Sequence, residues 1–171
     1  AHIRNWELSP DDVIVAIAPV SGAAGGTPTY VTCPVAGAKI ALEYSYREEE
    51  TLKFIEQERA TVIALVPTQL ARLVQLPLEN YDLSSLRFIK TAGGALSPAL
   101  ARESEEKFKC PVLGTFGSQD TGSVSGVPLT ASMEQRYTTV GRLHPGLELR
   151  IVDDEGKEVK PGETGVLYFR G

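Results

Sequence analysis

TVIALVPTQLARLVQL (61–76), LRFIKTAGGALSPALARESEEKFK (86–109) and PVLGTFGSQDTG (111–122) decide the fold. TVIALV, LRFIKT and PVLGTF are short apolar runs, which predict strands at 61–66, 86–91 and 111–116. Helical stretches lie between them. Pro67 stands in the first turn of PTQLARLVQL (67–76), where a missing N–H costs nothing. Ser97 followed by Pro98 is an N-cap with proline at the first helical position, and predicts a helix to about Lys107. Strands alternating with helices of this length imply β-α-β units, so the fold class is α/β, a mainly parallel sheet with flanking helices.

The same alternation extends toward the N-terminus. VIVAIA (13–18), after the turn signal SPDD, and KIAL (39–42) read as strands. YREEETLKFIEQERA reads as a helix: Leu52, Phe54 and Ile55 cluster on one side, and the solvated run Glu48-Glu49-Glu50 falls in the first turn, where the helix dipole favours it. Residues 22–36 are small and weakly patterned, and their glycines leave them open between loop and helix. After about residue 136 the character changes. LELRIV and GVLYFR are strand runs joined by the turn-rich DDEGKEVKPGE, with no helical stretch between them, so they should pair antiparallel. The expected organisation is an α/β portion at 1–135, followed at 136–171 by the beginning of a small antiparallel β-subdomain.

Composition excludes several function classes. With 171 residues, 42% of them hydrophobic, the chain has enough apolar material for a core. A net charge of −5 without a Lys/Arg cluster argues against a nucleic-acid surface. No apolar run approaches the roughly 20 residues needed to span a bilayer, and the first residues lack the pattern of a secretory leader, so no membrane span and a cytoplasmic location are expected. Cys33 and Cys110 have no metal or redox spacing and read as reduced, buried thiols. Two histidines, His2 and His144, are too few for a His-rich metal site or a serine triad; His144, in a Pro-Gly turn, should be solvated. Gly122-Ser123-Val124-Ser125-Gly126 puts valine where a nucleophile elbow needs serine.

Two of the predicted strands open into small, polar loops, Thr91–Ala95 and Thr115–Asp120, and ligands of open parallel sheets bind outside such carboxyl ends. In order and spacing, LRFIKTAGGALSP (86–98), VLGTFGSQDTG (112–122) and VGRLHPGLELRIVDDEGKEVKPGETGVLYFRG (140–171) resemble the adenylate-forming superfamily, over nearly the whole chain. These are the acyl- and aryl-CoA ligases, aryl-acid adenylating enzymes such as dihydroxybenzoate-AMP ligase, luciferases and peptide-synthetase adenylation domains. The resemblance implies that Gly93, Gly94 and Ala95 lie against the adenine and the acyl pocket. It further implies that Thr115, Phe116, Gly117, Ser118 and Gln119 form the nucleotide loop, with the Phe116 ring beside the adenine. The family usually reads Tyr-Gly-x-Thr-Glu here. Gln119 therefore stands where a phosphate-touching threonine is usual, and Asp120 where a magnesium-binding glutamate is usual. Asp120 is the implied catalytic and metal-side carboxylate, one methylene short of the family's reach. The other reading is that Gln119 and Asp120 cap the turn into Thr121-Gly122. Pro19 begins a segment that usually reads Pro-Leu-Phe-His, so Ser21 and Gly22 replace an aromatic and a histidine in the implied substrate pocket, unless 21–28 is a plain glycine-rich loop.

The activity so implied is that of an ATP-dependent ligase, which activates an acyl or aryl acid as acyl-AMP and transfers it to coenzyme A. ATP/AMP, Mg2+ and coenzyme A are the implied cofactors and co-substrate, and a small carboxylic acid the implied substrate. Phe116 with the small Ser21 and Gly22 leans toward a ring-bearing acid. A carrier protein's pantetheine is the alternative acceptor, and a non-catalytic nucleotide-binding or interaction module with the same fold is the alternative class. The family's phosphate loop would lie before residue 1, and its ribose-binding Asp, hinge and catalytic Lys beyond Gly171, so the chain alone is expected to be inactive.

Overall fold

The computed structural model describes residues 2–171. A seven-stranded sheet runs in the order β2-β1-β3-β4-β5-β6-β7, and a separate two-stranded sheet pairs β8 with β9. The strands are β1 Val13–Ala16, β2 Lys39–Leu42, β3 Val62–Leu65, β4 Phe88–Thr91, β5 Val112–Ser118, β6 Gly122–Gly126, β7 Arg142–Leu143, β8 Glu148–Val152 and β9 Val166–Arg170. β2 to β5 pair in parallel around β1, β3 and β4. The helices are α1 His2–Asn5, α2 Ala23–Gly26, α3 Cys33–Ala36, α4 Glu48–Glu58, α5 Pro67–Leu73, α6 Pro98–Phe108 and α7 Met133–Thr138. Ser97 caps α6 as the sequence predicts, its side chain accepting from the Leu100 N–H at 3.2 Å.

The chain leaves β1 toward the β2 edge, then crosses back and proceeds through β3, β4 and β5. Right-handed crossovers put the helix of the first connection on one face of the sheet and those of the later connections on the other. The core divides accordingly. Leu52, Ile55, Leu70, Leu73 and Phe108 of α4 to α6 pack with Val15, Ile63, Leu65, Ile89 and Val112 on one face. Trp6, Leu8 and Cys33 pack with Ile14, Val62, Ala64, Phe88 and Leu113 on the other. Beside this second cluster Asp12, 2% exposed, takes both contacts from Arg87 Nη1 at 2.6 and 2.8 Å and a third from Thr61 Oγ1 at 2.6 Å.

Three segments depart from the sequence reading. Residues 23–36 are helical throughout, with a π-helical stretch, Thr27–Thr32, between α2 and α3. The glycines that left this segment open between loop and helix serve close packing: any Cβ on Gly25 would collide with the carbonyl oxygen of Ala18, just beyond β1. Antiparallel pairing also begins before residue 136. β5 turns back at 119–121 into β6, and β7 adds antiparallel to β6, so both belong to the large sheet. GSVSG, to which the sequence reading gave no element, completes the ladder beside β5. β8 and β9 pair antiparallel as expected, from Glu148↔Arg170 to Val152↔Val166.

Candidate functional site

At the carboxyl ends of β1, β3, β4 and β5 the sheet opens into a cavity of about 390 Å³. Its position is the one that a doubly wound sheet leaves free, where the connections from β1 and β3 depart to opposite faces. Ser21, Gly22, Ala23, Ala24 and Thr27 come from the segment after β1, and Val66 follows β3. Lys90, Ala92 and Gly93 come from the end of β4, and Thr115 to Gln119 from β5. Of the residues singled out by sequence, Gly93, Thr115, Phe116, Gly117, Ser118, Gln119, Ser21 and Gly22 meet in this one space. Gly94 and Ala95 line the neighbouring cleft, which shares Thr115 with the first. Asp120 lines neither; it sits exposed in the turn between β5 and β6.

Local sequence explains the loop shapes. Gly93 has φ +79°, the left-handed region, while its neighbours Val66 and Ala24 stand close. A β-bulge between Phe116 and Gly117 re-aims the end of β5, and a Cβ on Gly117 would run into the carbonyl of Gly122 across the hairpin. Phe116 is thereby left 37% exposed, its ring 6.5 Å from that of Phe169. The hairpin turn is closed by Ser118 and Thr121: the Ser118 N–H donates to Thr121 Oγ1 at 3.1 Å and the Thr121 N–H to Ser118 Oγ at 3.1 Å. Turn capping thus falls to these two, and not to Gln119 and Asp120. Gln119 instead reaches across the cavity mouth, donating from Nε2 to the Ser21 carbonyl at 3.5 Å. Ser21 and Gly22 therefore belong to the site wall rather than to a detached glycine-rich loop.

Beneath these loops is a buried polar floor that the sequence reading missed. Lys90, 3% exposed, donates from Nζ to the Ala24 carbonyl at 3.0 Å. Burial pulls its ammonium down to about 8. His2 and His144 are both buried, and the expectation of a solvated His144 fails because β7 lays residue 144 against β6. The Ser123 hydroxyl joins the two rings, 2.8 Å from His2 Nε2 and 3.1 Å from His144 Nε2. Burial, with His144 and Lys90 nearby, lowers His2 to about 3. Burial likewise lowers His144. The visible signal for Lys90 was a charge inside the apolar run LRFIKT. His2 and Ser123 are 121 residues apart and give no local signal.

The neighbouring cleft is braced by one carboxylate. Glu105 of α6 accepts from Arg136 Nε at 2.6 Å, Arg136 Nη2 at 2.7 Å, Tyr137 Oη at 2.8 Å and the Val112 N–H at 2.8 Å. Burial works against its charge, but these donors, Arg136 foremost, hold Glu105 below the usual carboxylate range. Cys33 and Cys110 are free and buried, and burial raises both thiols, to about 11 and about 12. Among the described residues no group of three His, Cys, Asp or Glu is arranged to hold a metal ion. Asp120, exposed in the β5–β6 turn beside Gln119 of the cavity mouth, belongs to no such group. Among the described residues no helix is long and apolar enough to cross a membrane.

An open α/β sheet with a cavity at its switch point, walled by two glycine-bearing strand-end loops, belongs to the class of folds that bind ligands at that place. The comparisons narrow it. The AMP-binding enzyme family matches residues 1–171, and the chain belongs to that family, within the adenylate-forming superfamily. It is 35% identical over 166 residues to an indoleacetate–CoA ligase of Aromatoleum aromaticum, covering 96% of this chain and 32% of that protein. It is also 35% identical over 138 residues to a vibriobactin-specific 2,3-dihydroxybenzoate-AMP ligase of Vibrio cholerae, covering 80% of this chain and 25% of that one. A solved anthranilate CoA ligase in complex with anthranoyl-AMP superimposes with a TM-score of 0.88 at 25% identity, over 98% of this chain and 33% of its own. The chain thus spans a quarter to a third of the length of these relatives.

Proposed function

We propose that the protein to which this chain belongs activates a carboxylic acid at the expense of ATP and passes the acyl group to the thiol of coenzyme A. A carboxylate oxygen attacks the α-phosphorus, the bond to pyrophosphate breaks, and acyl-AMP forms. Thiol sulfur then attacks the acyl carbon, AMP leaves with the bonding pair, and the thiol proton is released. The observation that carries this reading is the meeting of the 92–93 and 115–119 loops with Ser21 and Gly22 in one cavity at the strand ends. Phe116, half out of the wall, offers a ring face for the adenine. Asp120 would hold magnesium, which when bound neutralises charge building on the phosphates. The 1–135 portion supplies the cavity in this reading, and 136–171 opens a β-subdomain beside it.

Names among the relatives favour aromatic acids, and the small Ser21 and Gly22 leave room for a ring. The test is acid-dependent ATP–pyrophosphate exchange by the full-length protein across a panel of aryl and alkyl acids, followed by trapping with coenzyme A. Exchange with at least one acid and thioester formation are expected. ATP binding without exchange for any acid would overturn the ligase reading in favour of a nucleotide-binding module, and transfer only to a pantetheinyl carrier would replace the acceptor.

A further inference from the structure

β1 and β3 separate where the cavity opens, and one side chain stands at the parting. Their parallel ladder runs from Ile14↔Val62 to Ala16↔Ala64, and beyond it the Ile17 N–H donates to the Ala64 carbonyl at 2.9 Å. The next rung of such a ladder would take the Val66 N–H to the Ile17 carbonyl. The carboxamide of Gln69 fills that place instead: the Val66 N–H donates to its Oε1 at 3.1 Å, and its Nε2 donates to the Ile17 carbonyl at 3.3 Å. The rung after that would need an N–H at residue 19, which is proline. Gln69 is itself held in place, its main-chain carbonyl accepting from Tyr46 Oη at 3.0 Å. Its contact with Val66 is the usual one for a glutamine at the third position of a helix, and a glutamate would make it as well. The contact with Ile17 requires a donor, which an ionised glutamate lacks.

Both sides of the parting are cavity wall. Pro19, Ser21 and Gly22 follow Ile17, and Val66 lines the space from the other side, with Cγ1 beside Gly93. Val66 is still extended, φ −97° and ψ 155°, so its backbone remains in the conformation of a strand. An inserted carboxamide spans two hydrogen bonds where the ladder has one, and so keeps the strand ends further apart than a rung would. Without it the Ile17 carbonyl, in a buried residue, and the half-buried Val66 N–H both lose their partners, and pairing with each other satisfies both. We infer that Gln69 is a positioning residue, an inserted rung that wedges β1 from β3 and thereby sets the width of the cavity and the size of acid it admits. The part that concerns the acid rests on the carboxylate-activating reading of the same cavity.

Gln69→Met in the full-length protein tests it, by crystallography and by ATP–pyrophosphate exchange with the smallest and the largest acids that wild type accepts from an aryl and alkyl panel. In the variant the Val66 N–H should donate directly to the Ile17 carbonyl. KM for the largest acid should rise about tenfold relative to that for the smallest, the range over which a pocket discriminates a methylene, with the loss falling on KM rather than kcat. A glutamine that only caps its helix would lower stability and leave the KM ratio alone. Gln69→Glu keeps the cap and holds the rung open, so its KM ratio should match wild type. Its melting temperature should fall below the wild type's at pH 8 and recover part of the difference at pH 5, where a protonated carboxyl donates to the Ile17 carbonyl. An open rung in the folded methionine variant, or an unchanged KM ratio there, overturns the assignment. A glutamate variant that melts with wild type at both pH values also overturns it, and decides the matter should the methionine variant fail to fold. A closed rung in a protein whose wild type exchanges no acid would remove the ligase reading and leave the inserted rung standing. Exchange by wild type with an open rung in the variant would do the reverse.

Discussion

The two faces of the large sheet are built from the same strands and do opposite work. Under α4, α5 and α6 the packed side chains are apolar and mainly aliphatic, with Phe108 among them, and Leu52, Ile55, Leu70 and Leu73 are each 0% exposed. Under α1 and α2 the strands meet Trp6 and Phe88, but also Asp12 with Arg87, Lys90 under Ala24, and two histidines sharing a serine. β4 shows the contrast within neighbouring residues: Ile89 enters the dry face, and Phe88 and Lys90 the other. One face contributes stability. The other accepts a cost in stability to keep polar groups beside a cavity.

Substitutions should separate these roles. The largest expected effect lies outside both clusters. Asp120→Asn in the full-length protein should slow adenylate formation by about a thousandfold, roughly 4 kcal/mol for one transition-state charge partner, with the melting temperature unchanged. Pyrophosphate exchange and thermal melts measured together check this, and an unchanged rate moves the metal role elsewhere. On the dry face, Leu70→Ala should lower unfolding stability by about 3 kcal/mol through a cavity, read as a reduced urea midpoint, while acid preference stays as in wild type.

Lys90→Met should act in the other direction. Burial brings the ammonium from 10.5 down to about 8. Below pH 8 the folded and unfolded chains both carry the proton, and the fold bears the full cost of the buried charge. Between about 8 and 10.5 the folded chain gives up its proton first, so wild-type stability rises with pH. The variant should therefore be more stable by about 2 kcal/mol at pH 7, the burial cost less one hydrogen bond, with the advantage gone above pH 10.5. Parallel urea titrations at pH 7 and 10.5 decide it.

The smallest effect is at acid pH. His2 falls from 6.5 to about 3 on folding, so the unfolded chain binds a proton that the fold excludes. Stability from this group is complete above pH 6.5 and declines as pH falls toward 3. His2→Gln should flatten that decline by about 1 kcal/mol or more, visible in melts at pH 7 and 4.5.

The dry face was the legible one. TVIALV, PTQLARLVQL and the acidic start of α4 declare themselves by local apolar spacing and helix-start chemistry, and the structure places them close to where the spacing does. The two strand-end loops were equally visible, because an apolar run that stops at small residues is a local event. What failed was non-local. β6 consists of Gly, Ser and Val and carries no local strand signal; it is a strand because β5 lies beside it. His144 follows a short strand and is buried by partners far away in the chain, β6 and the His2 ring. Residues 22–36 stayed open between loop and helix, since glycine is unfavourable in a helix by propensity, and only the carbonyl pressing on Gly25 from another segment explains it there.

The tight backbone crossings around the cavity also set the rules for re-engineering it. At Gly22 and Gly94 an added side chain would meet only ordinary contacts, and neither has a positive φ. Gly117 and Gly25 face foreign carbonyl oxygens at distances that no side chain tolerates. A randomised library aimed at new acid preferences should thus vary 21, 22 and 94 freely and keep 25 and 117 as glycine. In a screen, the first set should return altered selectivity, and the second mostly clones with no soluble product.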